Sequence, residues 1–264
     1  MRSSFLHSAT IVLVAFAISA VSLAQTAKPS GAATGTPDLS GTWNRGTGHT
    51  AAGTFDDDPG GVPFLGFSKQ EPPLQPSAMK TYQATRNGIA DPRLKGRDDV
   101  DPSNSCYPPG PTRIFTIPRP FEIRQTANEV YILSEMDHWV RRIYVDGRGH
   151  PDGYPSTWMG HSIGKYDGNT LVVDTADINE TTWIDALGHP HSDALHLVER
   201  IRRPNHDTLE IEVKFEDPKT YTKPWTGKKV YQLQPAKFEL KEDTICEEFR
   251  KPGLRNDGFE FIKP

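Results

Sequence analysis

The feature that most constrains this chain is a strict two-residue alternation. Leu209, Ile211, Val213 and Phe215 are apolar, and the residues between and after them, Glu210, Glu212, Lys214 and Glu216, are all charged. Successive side chains of a strand point to opposite faces, so this run reads as a strand with one face buried and the other in water. The same period runs back to Phe121. Phe121, Ile123 and Gln125 alternate with Glu122 and Arg124, and Val130, Ile132, Ser134 and Met136 alternate with Tyr131, Leu133 and Glu135. Further runs cover Trp139 to Asp146, Met159 to Tyr166, Thr170 to Thr175, Leu195 to Arg203 and Lys229 to Gln234, with Lys237 to Leu240 as a short addition. Turn formers separate them, most clearly Asp167-Gly-Asn169, whose glycine and asparagine tolerate positive φ. With an early strand at Leu39 to Trp43, the count is eight or nine antiparallel strands. Hairpins in that number must hide their edges, which predicts an all-β fold: a single antiparallel up-and-down β-barrel, with a β-sandwich as the alternative.

The 23 prolines and 22 glycines disfavour long helices. A long irregular segment therefore precedes Phe121, with one short helix expected around Ser77 to Asn87. At the amino end, Arg2, the uncharged run Ile11 to Leu23 and the small residues Ser22 and Ala24 meet the three-part pattern of a secretory signal peptide, cut after Ala24. The apolar run falls short of the roughly 20 residues of a spanning helix, so no stable membrane anchor is expected. Residues 25–37 read as a flexible linker and 38–264 as one domain, periplasmic or secreted. In that oxidising setting Cys106 and Cys246, the two cysteines of the chain, are expected to pair. Acidic and basic residues nearly balance at 34 against 30, which leaves no electrostatic footprint for nucleic acid.

Three polar residues interrupt faces that the alternation makes apolar. Glu199 lies in step with Leu195, Leu197 and Ile201; Arg141 with Trp139, Ile143 and Val145; His161 with Met159 and Ile163. A buried carboxylate needs a cation, a histidine or a proton, so these residues are either a structural ion pair or an acid and base set. The connection from Ala176 to Ala194 is long for a compact β domain and reads as a lid or binding loop. It carries Trp183, Asp185, His189 and His191, expected with Trp158 to contact a small molecule. His161, His189 and His191 form a conceivable metal set, although no fixed ligand motif such as HExxH is present. Six of the nine histidines lie between His138 and His196, which places a site in that region. His49 and His206 fall in surface turns, and Asp174 reads as solvated on the outer face of its strand.

Gly41-Thr-Trp43 resembles the glycine-x-tryptophan entry of lipocalin-like (calycin) barrels, which implies that Trp43 plugs a closed end. The run Gly160-His-Ser-Ile-Gly-Lys-Tyr-Asp-Gly-Asn-Thr-Leu-Val-Val-Asp-Thr175, followed by Gly188-His-Pro-His-Ser-Asp-Ala-Leu-His196, resembles a family of exported, largely uncharacterised bacterial proteins. Lys165-Tyr166 and Asn169 stand where that pattern has an arginine-tryptophan pair and an aspartate. The resemblance implies export and a shared site region. The residues themselves predict an enzyme without an organic cofactor, because the nucleophile elbow, phosphate loop and dinucleotide fingerprint are missing. Acid–base catalysis of lyase or isomerase type on a small carbonyl or sugar-derived molecule fits them, with His161 moving the proton, Glu199 its partner and Arg141 the oxygen anchor. Two alternatives stay open. One is a carrier of a hydrophobic molecule, with Trp139, Trp158, Met159 and Trp183 lining its pocket; the other is a histidine-ligated metal-dependent hydrolase.

Overall fold

The computed structural model describes residues 35–45, 63–90, 101–241 and Cys246. The expected signal peptide, most of the linker and His49 lie outside the described residues. Among the described residues nine strands form: β1 (Gly41–Asn44), β2 (Phe121–Gln125), β3 (Glu129–Ser134), β4 (Val140–Tyr144), β5 (His161–Asp167), β6 (Thr170–Ala176), β7 (His196–Asn205), β8 (Thr208–Glu216) and β9 (Trp225–Leu233). They follow one another around a closed barrel, and β9 returns to β1 through Trp43 opposite Leu233. The barrel is therefore the solution to the edge problem, and the sandwich is not. The expected run at Lys237 to Leu240 forms no strand, because β1 already takes the free edge of β9. Among the described residues there is one α-helical element, α1 (Pro76–Ala90), and it lies where a helix was expected. Among the described residues no helix is long and apolar enough to cross a membrane.

One step departs from simple up-and-down order: β4 and β5 are parallel, through Ile143 opposite Ser162 and Tyr144 opposite Ile163. Parallel neighbours cannot be joined by a tight turn and need a crossover of a dozen or so residues. The chain from 145 to 160 is that crossover, and it carries His150 and Tyr154 over the outer face of the sheet before returning at Gly160. Gly160 sits at φ +66°, and a Cβ there would lie 2.7 Å from the carbonyl oxygen of Ala176, so close return to the sheet requires glycine.

Inside the barrel the alternation holds strand after strand. Ile123, Ile132, Ile143, Leu171, Val173, Leu197, Ile201, Leu209, Ile211, Val213 and Phe215 form one buried cluster. Trp43 is fully buried, donates from Nε1 to the carbonyl of Leu39 (3.0 Å) and has the Arg203 guanidinium over its ring at 5.1 Å. The irregular segment before β2 also fills the interior: Phe115 is fully buried, and its carbonyl accepts from the Tyr231 hydroxyl. Lys229 points inward and donates to the carbonyls of Pro63, Phe64 and Gly66 at 2.6 to 3.1 Å. The expected disulfide is present between Cys106 and Cys246, with Cα atoms 5.4 Å apart.

Candidate functional site

Arg141 and Glu199 do meet inside the barrel. β4 and β7 turn them inward, and the guanidinium grips the carboxylate with two bonds, one of them Nη1 to Oε1 at 2.8 Å. Arg141 also donates to the carbonyl of Pro111 (3.2 Å) and to the hydroxyls of Ser162 (3.2 Å) and Thr175 (2.9 Å). Side-chain exposure is 1% for Arg141 and 0% for Glu199. The pair is buried, and its hydrogen bonds tie β4, β5, β6 and β7 to one another and to the Pro111 segment.

His161 is not part of it. The inward residues of β5 are Ser162, Gly164 and Tyr166: Ser162 bonds Arg141, a Cβ on Gly164 would press on Ile143, Leu171 and Val145, and the Tyr166 hydroxyl accepts from Gln125. His161, Ile163 and Lys165 therefore face outward, and the placement of His161 beside Met159 and Ile163 on the core face is corrected by one residue of register. It is nonetheless buried, because the crossover lies over it: His161 packs against Tyr144 (5.4 Å between ring centroids) and Tyr154 (4.9 Å).

Around it the outer face carries a chain of titratable groups. His150 and His161 bring their Nδ1 atoms to 2.8 Å. His150 donates from Nε2 to Asp174 Oδ1 at 3.0 Å, and His196 donates from Nε2 to the same oxygen at 2.9 Å. The other His196 nitrogen faces Glu216 Oε2 at 3.2 Å, and Glu216 pairs with Lys214. Strand order produces this row: β5, β6, β7 and β8 are neighbours, and residues 161, 174, 196 and 216 are all outward. Burial holds the His161 pKa down, helped by the charges of His150 and Arg148 against the pull of Asp177. For His196 burial also works downward, but hydrogen bonds and charge from Asp174 and Glu216 outweigh it and raise the pKa. Burial thus favours the neutral form of His161, and the two carboxylates favour the charged form of His196.

Beside this row is a pocket of about 420 Å³ lined by Gly147, Arg148, Ile163, Gly164, Lys165, Val172, Asp174 and Val198. It opens where the crossover leaves β4 and arches over β5 to β7. Its floor is Ile163, Val172 and Val198, three aliphatic residues on the face that β8 reserves for charge. Asp174 belongs both to this pocket and to the histidine row.

The loop residues take up other positions. His189 donates to Asp185 Oδ2 (2.6 Å) and to Glu71 Oε1 (2.7 Å) and stacks on Tyr82 of α1 at 4.2 Å. Burial lowers its pKa and the two carboxylates more than reverse this, so the net shift is upward. His191 is buried between the Thr182 hydroxyl (2.6 Å) and the Ser192 carbonyl (2.9 Å), and burial lowers its pKa. Trp183 lies under the Arg113 guanidinium at 4.5 Å, and Trp158 stacks on Tyr107 at 4.5 Å. His161, His189 and His191 therefore each have separate partners and do not converge, which corrects the metal set. Among the described residues, no three His, Cys, Asp or Glu side chains are arranged to hold a metal ion.

Because His189 binds its proton more tightly folded than unfolded, its ion pairs stabilise the folded protein fully below pH about 6.5 and the benefit is lost as pH rises through the folded pKa. The destabilisation caused by His189→Asn is expected to be largest at pH 5.5 to 6 and to shrink on the alkaline side, read from urea midpoints across pH. A midpoint difference independent of pH would show that packing alone holds α1 to the loop.

Sequence reasoning missed His150, Asp174 and His196 as one group. Two signals pointed to it: the histidine clustering, and Val172 and Val198 at outward positions where charge is the rule. No protein family, no curated protein and no solved structure matches this chain.

Proposed function

We propose that this protein is an exported acid–base enzyme without an organic cofactor, acting on a small carbonyl or sugar-derived molecule held against the outer wall of its barrel. The single observation that carries the reading is the pair of Nδ1 atoms of His150 and His161 at 2.8 Å, with His150 anchored on its far side by Asp174. Two ring nitrogens at that distance share one proton, so one ring donates and the other accepts. Such a pair can take a proton from a substrate and return it. His150 is the exposed member, with 26% of its side chain accessible, and exchanges the proton with substrate through Nε2 when the substrate takes the place of the Asp174 oxygen there. His161 is the positioning residue that fixes the tautomer of His150 from beneath. Asp174 orients His150 and His196 through one oxygen, and His196, whose charged form Asp174 and Glu216 favour, stabilises negative charge that develops on a substrate oxygen. Removing and returning a proton beside a carbonyl, as in an elimination or isomerisation, needs these roles and no dedicated nucleophile. Membership of the exported bacterial family, and a periplasmic or secreted location, are part of the proposal. The expected leader and the disulfide support them.

The test needs no knowledge of the product. The protein is incubated in D2O with a panel of aldoses, ketoses and oxo acids, and exchange of carbon-bound hydrogen for deuterium is followed by NMR. At least one compound is expected to exchange, with His150→Gln and Asp174→Asn lowering the rate by about 10²- to 10⁴-fold. His161→Asn is expected to move the pH profile of the remaining rate. Exchange that survives both His150→Gln and Asp174→Asn in folded protein would overturn the assignment of the site.

A further inference from the structure

We infer that the pocket on the outer wall selects a small monoanion, a carboxylate joined to a short aliphatic or single-ring body. The inference rests on the proposed acid–base site only for what happens after binding. The floor of Ile163, Val172 and Val198 offers apolar contact that water would not favour, and pockets of this size take small molecules. Three charged side chains line it, and two are already committed. Arg148 grips Asp146 through Nε at 2.9 and 3.0 Å and through Nη2, and lies over the Tyr144 ring at 3.8 Å. Asp174 accepts from His150 and His196. Lys165 is exposed and makes no ion pair among the described residues. The net unmet demand of the lining is for one negative charge.

Register places that charge relative to the histidines. On the outer face Lys165 stands opposite Val172, and Ile163 stands opposite Asp174. One step along a strand face is about 7 Å, so an anion held by Lys165 leaves its other end near Asp174 and His150 after roughly that distance. A molecule of four to six carbons, or one ring, spans about this gap. Val172 beside Lys165 and Ile163 beside Asp174 support the body. A neutral sugar would leave both Lys165 and the aliphatic floor unmatched.

The experiment uses the full mature chain with methyl-labelled isoleucine and valine, and hexanoate and benzoate as probes against hexanamide and benzamide. The carboxylates are expected to shift the methyl signals of Ile163, Val172 and Val198, and to bind about three- to tenfold more tightly than the amides. Lys165→Met, which keeps the alkyl stem, is expected to remove that preference. Val172→Asp, an outer-face change that leaves the core intact, is expected to abolish binding of both carboxylates. Equal affinity for acids and amides, an unchanged preference in Lys165→Met, or shifts confined to other methyls would each overturn the inference. If the carboxylates bind as expected but no oxo acid exchanges deuterium in D2O, the ligand class stands and the acid–base reading fails. If neutral carbonyls exchange and carboxylates do not bind, the ligand class fails alone.

Discussion

Replacing Glu199 with alanine and leaving Arg141 in place is expected to lower the unfolding free energy by about 3–5 kcal/mol, enough to unfold a barrel of ordinary stability at modest urea concentrations. The change strands a guanidinium in a chamber walled by Val173, Val213 and Ile143, with only the Pro111 carbonyl and the Ser162 and Thr175 hydroxyls left as acceptors. Arg141 Nε already lacks a partner, so the site has no spare hydrogen bonding to offer. The paired replacement Arg141→Met with Glu199→Leu removes both charges at similar volume and is expected to recover most of the loss. Urea denaturation of the three proteins checks this. If the single variant matches the wild type, the pair is not closed to water. If the double variant is as unstable as the single one, the network matters through Ser162, Thr175 and Pro111 rather than through charge. In either case deuterium exchange at the outer site should follow the folded fraction, since Arg141 and Glu199 lie on the opposite face of the wall.

Loss of the disulfide is the second large effect. Cys106 and Cys246 are 140 residues apart in sequence, and a cross-link over a loop of that length restricts the unfolded chain by up to about 5 kcal/mol. Cys106→Ser with Cys246→Ser is expected to lower stability by about 2–5 kcal/mol. Beyond the entropic effect, the bridge secures the segment that feeds the barrel interior. Just before Cys106, Asp101 accepts two bonds from Arg113 at 2.9 and 2.6 Å, and two residues after Arg113 comes the buried Phe115. Wild-type protein in reducing buffer should reproduce the midpoint of the serine variant. A midpoint that is the same in oxidised and reduced protein would show that the bridge closes a loop already ordered in the unfolded chain.

Much of the wall was legible in the residues because a strand announces itself locally. The alternation in Leu209 to Glu216 needs no distant partner to be read, and it places Glu199 inward through Leu197 and Ile201, and Arg141 inward through Ile143. The run Met159 to Tyr166 could not be read the same way. One of its faces carries His161, Ile163 and Lys165 and the other Ser162, Gly164 and Tyr166, so neither set is clearly apolar. What decides between them lies elsewhere in the chain: Ile143, Leu171 and Val145 leave room for glycine alone at 164, and the Arg141 guanidinium takes the Ser162 hydroxyl. A single residue of register then carries His161 to the outside.

The sequence by itself determined the strands, the inward faces that carry Arg141 and Glu199, and the pairing of two cysteines, and it favoured a barrel over a sandwich. Each follows from a local period or from simple parity. Only the tertiary structure decided that β4 and β5 run parallel, that the crossover between them covers the outer wall, and that His150, His161, Asp174 and His196 meet there. Those four residues sit on three strands and a crossover, and they become neighbours only through strand order around the barrel. Hydrophobic periodicity records which face of a strand is buried, whereas the meeting of outward residues from different strands depends on pairing partners and register that no local pattern encodes.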